Sequence, residues 1–147
     1  MIIKESTLID ASMKQVWDTF TDLTCWMDWN SVIQDIRSEE KCLTNGKALK
    51  CCFKPFLFPI RVKIKIEEIT PYRRIIWSAK KKGLYAFHEF FFEEVENGIL
   101  VASKESFSGL LTAVSGFLLP VSRIRTLTRT FLKDLKKASE NRRKMDI

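Results

Sequence analysis

The chain has one histidine, five glycines, four prolines and two tyrosines in 147 residues. A single imidazole leaves little room for a His-rich metal site, and no metal or cofactor is expected. So few glycines and prolines argue against a low-complexity linker and in favour of continuous elements. The four cysteines, Cys25, Cys42, Cys51 and Cys52, form no CxxC pair. Cys51 and Cys52 are adjacent and would point to opposite faces of a strand, so reduced, partly buried thiols are expected instead of a zinc or redox centre. No apolar run approaches the ~18 to 20 residues that cross a bilayer. The first ten residues carry Lys4 and Glu5 in place of a signal-peptide core, so a cytoplasmic protein is expected.

What is abundant is positive charge near the C-terminus. The net charge is +7, and residues 111–147 carry nine basic against three acidic groups. This stretch suits a solvated helix face or attraction to an anionic surface. Nucleic acid is not expected as a partner, because these cations are not interleaved with exposed aromatics.

The periodicity divides the chain into two kinds of segment. From Ser115, the residues Phe117, Val121, Ile124, Leu127, Phe131, Leu135 and Ala138 recur at three- and four-residue steps. They predict a long amphipathic helix with Arg123, Arg125, Arg129, Lys133, Lys136 and Lys137 on its other flank. Ahead of it, Ile2 to Asp10 reads as a strand. Asp10 or Ser12 can cap a short helix carrying Val16, Trp17 and Phe20, and Asp22 opens a second helical segment with Trp26 and Trp29.

Strands are then expected at about 31–40, 46–54, 60–70, 73–80, 84–96 and 99–108. The Asn97-Gly98 dipeptide is the strongest hairpin signal between them. A run of strands closed by one helix predicts a single α+β domain over residues 1–147, with a basic tail at about 141–147.

Alternation assigns faces. Val62, Ile64 and Ile66 share one face opposite Arg61, Lys63 and Lys65. Outward Lys50 and Lys54 turn Phe53 inward, and outward Arg74 and Ser78 turn Ile75 and Trp77 inward. Outward Glu89 and Glu93 put Leu84, Ala86, His88, Phe90 and Phe92 inside, while Lys104 outward puts Val101, Ser103, Glu105 and Phe107 inside. Two polar residues, His88 and Glu105, therefore interrupt an apolar wall on adjacent strands. They suit a polar anchor for a ligand, a pair that fixes register, or an acid–base couple. Tyr85, Phe87 and Phe91 are left outside, where they could form a dimer contact or dock another protein.

In a meander, alternate turns meet at one end of the sheet. That brings Pro55-Phe56-Leu57-Phe58-Pro59, the Lys80-Lys81-Lys82-Gly83 turn and the connection 109–120 together. Phe56, Leu57 and Phe58 beside Lys80, Lys81 and Lys82 form a candidate contact with an anionic membrane.

The chain also resembles a known superfamily. The carrying residues are Val16-Trp17-Asp18, Asp22, Trp29-Asn30, Pro71 with Arg74-Ile75-Ile76-Trp77, His88-Glu89-Phe90, Glu105-Ser106-Phe107-Ser108-Gly109-Leu110 and the final Leu135 to Glu140. In that order and spacing they look like the START-like helix-grip fold, in the polyketide cyclase/dehydrase branch of the SRPBCC group. The glycine-rich loop of the pollen-allergen branch is absent, the turn here reading Thr44-Asn45-Gly46-Lys47.

The resemblance implies a cavity between the sheet and the last helix that holds hydrophobic small molecules such as lipids, sterols or polyketides. The wall would include Phe53, Ile64 and Trp77, then His88, Phe90 and Phe92, then Glu105 and Phe107. The helix would add Phe117, Val121, Ile124 and Phe131. Binding or transport is the expected function, with no catalytic residue assigned. A cyclase or dehydratase using His88 and Glu105, and an interaction module or homodimer, are the alternatives.

Overall fold

The computed structural model describes residues 1–54, 58–81, 83–109, 113–114, 117–118 and 120–146. Strand β1 (Ile2–Ile9) leads into helix α1 (Met13–Thr21), a 3-10 turn (Leu23–Cys25) and the one-turn helix α2 (Trp26–Trp29). The meander follows as β2 (Gln34–Arg37), β3 (Ala48–Phe53), β4 (Ile60–Thr70), β5 (Arg74–Lys81), β6 (Leu84–Val95) and β7 (Gly98–Gly109). A two-strand ribbon, β8 (Ala113–Val114) and β9 (Phe117–Leu118), precedes the long helix α3 (Val121–Met145).

The seven long strands form one antiparallel sheet in the order β1-β7-β6-β5-β4-β3-β2. β1 closes the sheet against β7, while the two small helices carry the chain across to the opposite edge. α3 packs against β1 and α1 and covers the concave face. The fold is an α+β helix grip.

Local chemistry sets the boundaries. Ser12 caps α1 with its side chain on the Gln15 amide, and Gln15 returns the bond to the Ser12 amide, a reciprocal capping box. Asp22 accepts from the Thr24 amide to start the next turn. β2 is shorter than the segment 31–40 expected from alternation. The Asn30 side-chain oxygen takes the amides of Val32 and Ile33 at 2.9 and 2.7 Å, so those donors are unavailable to a strand ladder.

Helix α3 starts at Val121, not at Ser115, and Phe117 lies in β9. Pro120 occupies the N-cap. Proline lacks the N–H that a helix interior needs, and its ring clashes with the preceding turn, so it fits only at a helix start. Ile124, Thr128, Phe131, Leu132, Leu135 and Ser139 are the residues buried along α3. The stripe thus also takes in Thr128 and Ser139, while Leu127 and Ala138 are half-buried on its edge. The basic residues Arg142, Arg143 and Lys144 form the last turn of the helix, where cations oppose its negative end.

The interior has two parts. Under α1 and α2, Phe20 and Trp26 are fully buried, and Phe20 meets Phe90, Phe92 and Phe131 edge-on at 4.8–5.8 Å. This half is filled. α3 is fastened to β1 by Glu5, whose Oε1 accepts from Arg125 and Arg129 at 3.0 Å each. Burial alone would raise the Glu5 carboxyl, but the bonds from Arg129 and Arg125 hold it below its ordinary value.

The outer face is less open than alternation suggests. Ser78, expected outside, is buried and donates to Glu67 at 2.6 Å. Tyr85 and Phe87 stack at 6.4 Å, and Phe91 is 36% exposed.

Candidate ligand cavity

Where the aromatic packing ends, the concave face and α3 part around a cavity of about 130 Å³. Phe53, Ile60, Val62, Ile64, Trp77 and Ala79 line it from β3, β4 and β5. Leu84, Ala86, His88, Phe90, Glu105 and Phe107 follow from β6 and β7, and Ile124, Leu127, Thr128 and Phe131 close it from α3. The alternating strands explain the wall, since every inward residue of β5 and β6 from Trp77 to Lys81 and from Leu84 to Phe90 takes part.

Nine of the expected wall residues line this cavity: Phe53, Ile64, Trp77, His88, Phe90, Glu105, Phe107, Ile124 and Phe131. Phe92 faces inward but is not among them. It is 4.9 Å from Trp17 and 5.4 Å from Phe20, in the filled half, because alternation fixes a side chain's face and not its depth along the strand. Val121 is also displaced from the wall, being 39% exposed at the start of α3. The Phe117 side chain, Phe56, Leu57 and Lys82 fall outside the described residues. Phe58 is 37% exposed.

The polar part of the wall is His88, Glu105 and Thr128, joined to the buried Ser103 behind it. His88 and Glu105 are direct cross-strand partners. His88 Nε2 is 2.6 Å from Ser103 Oγ, and Thr128 Oγ1 donates to Glu105 Oε2 at 3.5 Å. His88 Nδ1 stands 3.6 Å from Glu105 Oε2, beyond a good hydrogen bond. The imidazole lies on the Phe90 ring at 4.0 Å and against the edge of Trp77 at 5.6 Å.

Both groups keep only a small accessible fraction, 12% and 16% of their side chains, and both line the cavity. Their opening is therefore toward the cavity. Burial pushes His88 down to about 3 and holds it neutral. Burial likewise pushes Glu105 up to about 7, against the opposing bond from Thr128. Such a couple can donate to or accept from a neutral oxygen without first forming an ion pair.

Thr128, Ser103, Val32 and Ile33 were not assigned to the site from the sequence. Thr128 could have been found, since it is four residues after Ile124 and three before Phe131 on the same helical face. The Cys51 thiol also lines the cavity. Burial, with Cys52 next to it, pushes Cys51 up to about 12, so it packs as a small apolar group and not as a nucleophile. Among the described residues no cluster of three or more His, Cys, Asp or Glu is arranged to hold a metal.

The end of the cavity where β3, β5 and β7 finish, termed the mouth, carries Lys80 and Lys81. The Lys80 ammonium sits 5.6 Å over the Tyr85 ring, Lys81 donates to the Arg61 carbonyl, and Arg123 of α3 reaches the Lys54 carbonyl at 3.3 Å. Among the described residues no helix is long and apolar enough to cross a membrane.

A sheet gripping one long helix around an apolar chamber is the START-like helix-grip fold, and solved structures share it. A START superfamily protein from Mycobacterium smegmatis matches with a TM-score of 0.69 at 13% identity, over 99% of both chains. Hypothetical protein jhp0584 from Helicobacter pylori matches with a TM-score of 0.77 at 16% identity, over 95% of this chain and 88% of that one. Ara h 8.0201 matches with a TM-score of 0.70 at 14% identity, over 99% and 98%. At these identities the likeness establishes the fold. No protein-family model and no curated protein matches the sequence.

Proposed function

We propose that this protein binds a hydrophobic or amphipathic small molecule, lipid-like or polyketide-like, between the sheet and α3. One observation carries the reading: the two halves of the interior share one sheet face, yet only one is filled. The half beyond Phe90 is lined mostly by apolar side chains from five strands and α3, with His88, Glu105 and Thr128 on its inner wall and Lys80 and Lys81 at one end. Apolar burial, at roughly 25 cal/mol per Å² before association costs, supplies the affinity. His88 and Glu105 orient the polar end. Trp77 on the wall reports occupancy. Fatty acids or polycyclic aromatics are expected to change the tryptophan emission, and Trp77→Phe to remove most of that change. Native mass spectrometry of the purified protein tests for a retained small molecule. Unchanged emission with both ligand classes sinks the reading.

The arrangement at Glu105 supports a second reading. A carboxyl near 7 inside an apolar chamber, beside a neutral imidazole, suits proton transfer to a polyketide-like carbonyl in a cyclisation or dehydration. Turnover with a rate limb near pH 7 that disappears in Glu105→Gln supports it; absence of turnover leaves binding alone.

The third part of the proposal concerns delivery at an anionic bilayer. Exposed Phe58, two residues ahead of β4, and the lysines Lys80 and Lys81 on the cavity wall support it. Liposome pelleting unaffected by Phe56→Ser with Phe58→Ser removes it.

A further inference from the structure

Resting on the binding reading, we infer that the ligand is bipolar: an anionic group held at the mouth by Lys81, a neutral oxygen held at the inner end by Glu105 and His88, and an apolar body between. The strand registers place these two anchors. Trp77, His88 and Glu105 form one cross-strand row. The next inward row toward the mouth is Ala79, Ala86 and Phe107, and the one after it is Lys81, Leu84 and Gly109. Lys81 is thus four residues along β5 from the row of Glu105, about 13 Å at roughly 3.3 Å per residue.

The ground between the anchors is apolar and low. Two alanines, Ala79 and Ala86, stand side by side there, and their small side chains leave the floor open beneath Ile124 and Leu127. An elongated body fits this floor without meeting another polar group.

The charges differ between the two ends. Lys81 projects from the concave face, since it shares parity with Trp77 and Ala79. Its ammonium gives one hydrogen to the Arg61 carbonyl, which leaves two more for a ligand. It enters no ion pair among the described residues. Lys80 and Lys81 are the cations among the described lining residues, and both are at the mouth. At the inner end, the nearby guanidiniums Arg125 and Arg129 are committed to Glu5. A carboxylate pushed inward would meet Glu105 with no counter-ion, a costly burial. A hydroxyl or ketone there finds both a donor and an acceptor. The chemical class is therefore a medium-length carboxylate with a hydroxyl or keto group at its far end, or a polycyclic acid of the same span.

Isothermal titration with decanoate, decanol and ω-hydroxydecanoate tests the assignment. ω-Hydroxydecanoate is expected to bind about tenfold more tightly than decanoate. Glu105→Leu should erase the difference between the two acids, and Lys81→Met the difference between decanoate and decanol. Glu105→Gln, which keeps the side-chain shape, serves as a second variant, with circular dichroism to verify folding. Equal affinity for the two acids overturns the bipolar assignment while the binding reading stands, as does a preference that survives both substitutions. No heat with any of the three probes overturns both.

Discussion

Glu105 on β7 and His88 on β6 face each other across the sheet with Oε2 and Nδ1 3.6 Å apart, yet they do not form an ion pair. Burial pushes Glu105 up to about 7 and His88 down to about 3, so at neutral pH the imidazole is uncharged and the carboxyl keeps its proton far more readily than an ordinary glutamate. Each is held by a hydroxyl from behind, Ser103 for the ring and Thr128 for the carboxyl.

Stability should depend on pH in opposite senses at these two groups. The folded value of Glu105 lies above its ordinary 4.5, so its contribution is fully present below about 4.5 and is lost as pH rises through about 7. The folded value of His88 lies below its ordinary 6.5, so its contribution is present above about 6.5 and is lost as pH falls through about 3. Between about 4.5 and 6.5 the two trends oppose each other, and above that only the Glu105 loss continues. Glu105→Gln is therefore expected to raise the melting temperature more at pH 8 than at pH 5, read by thermal denaturation at both. An equal shift at both pH values would show that Glu105 is solvated.

The two neighbouring tryptophans under the sheet should respond oppositely to loss of the indole N–H. Trp26 is fully buried and donates to the Phe20 carbonyl at 2.8 Å. The Trp29 Nε1 is buried with no hydrogen-bond partner among the described residues. Trp26→Phe leaves a buried carbonyl unpaired and is expected to cost about 1–3 kcal/mol beyond its lost packing. Trp29→Phe removes an unsatisfied donor, so the same loss of ring area is partly offset and its cost should be about 1 kcal/mol or less. Urea unfolding midpoints of the two variants give the comparison, and Trp29→Phe proving the costlier would refute it.

Much of this arrangement was legible because alternation and charge agree within single strands. Lys63 and Lys65 between Val62, Ile64 and Ile66, or Glu89 opposite His88 and Phe90 in parity, leave one register that keeps charges wet. That parity placed His88 and Glu105 on the concave face before any partner was known. Depth along a strand is a different matter. Phe92 has the right face, but Trp17 and Phe20 from α1 occupy the space in front of it, and nothing in β6 itself encodes what α1 brings. Thr128 is harder to read, because a hydroxyl in a basic helix suggests a solvent-facing position even though its spacing to Ile124 and Phe131 puts it on the buried face next to Glu105. The β2 boundary moved for a comparable reason, since Asn30 captures two amides that the apolar residues Val32 and Ile33 would otherwise offer to a ladder.

Filling the cavity from its floor should separate binding from folding. Ala86 lies between Leu84 and His88 and pairs across the sheet with Ala79 and Phe107. Ala86→Phe adds a ring into open space, not into packed core, so the usual overpacking cost of about 1–3 kcal/mol is expected to be largely avoided. Binding of anilinonaphthalenesulfonate, followed by its fluorescence, should weaken at least tenfold while the melting temperature stays within a few degrees. Undiminished binding would place the ligand elsewhere on the protein.

The hairpin joining β6 to β7 turns at Glu96-Asn97, with Val95 paired to Gly98. Gly98 has φ +142, and a Cβ there would lie 2.2 Å from the Ile9 carbonyl oxygen. That oxygen belongs to β1 next to the completely buried Ile9 side chain, so the strand cannot give way without disturbing the core. Gly46 also has a positive φ, +80, but nothing lies within 4 Å of its would-be Cβ. Gly46→Ala should therefore cost only the left-handed backbone penalty, about 1 kcal/mol. Gly98→Ala adds a backbone clash to that penalty and is expected to cost at least about 2 kcal/mol more. Chemical denaturation of the two variants under one condition decides the matter, and equal costs would mean that β1 does not pass as close to the hairpin as its pairing with β7 requires.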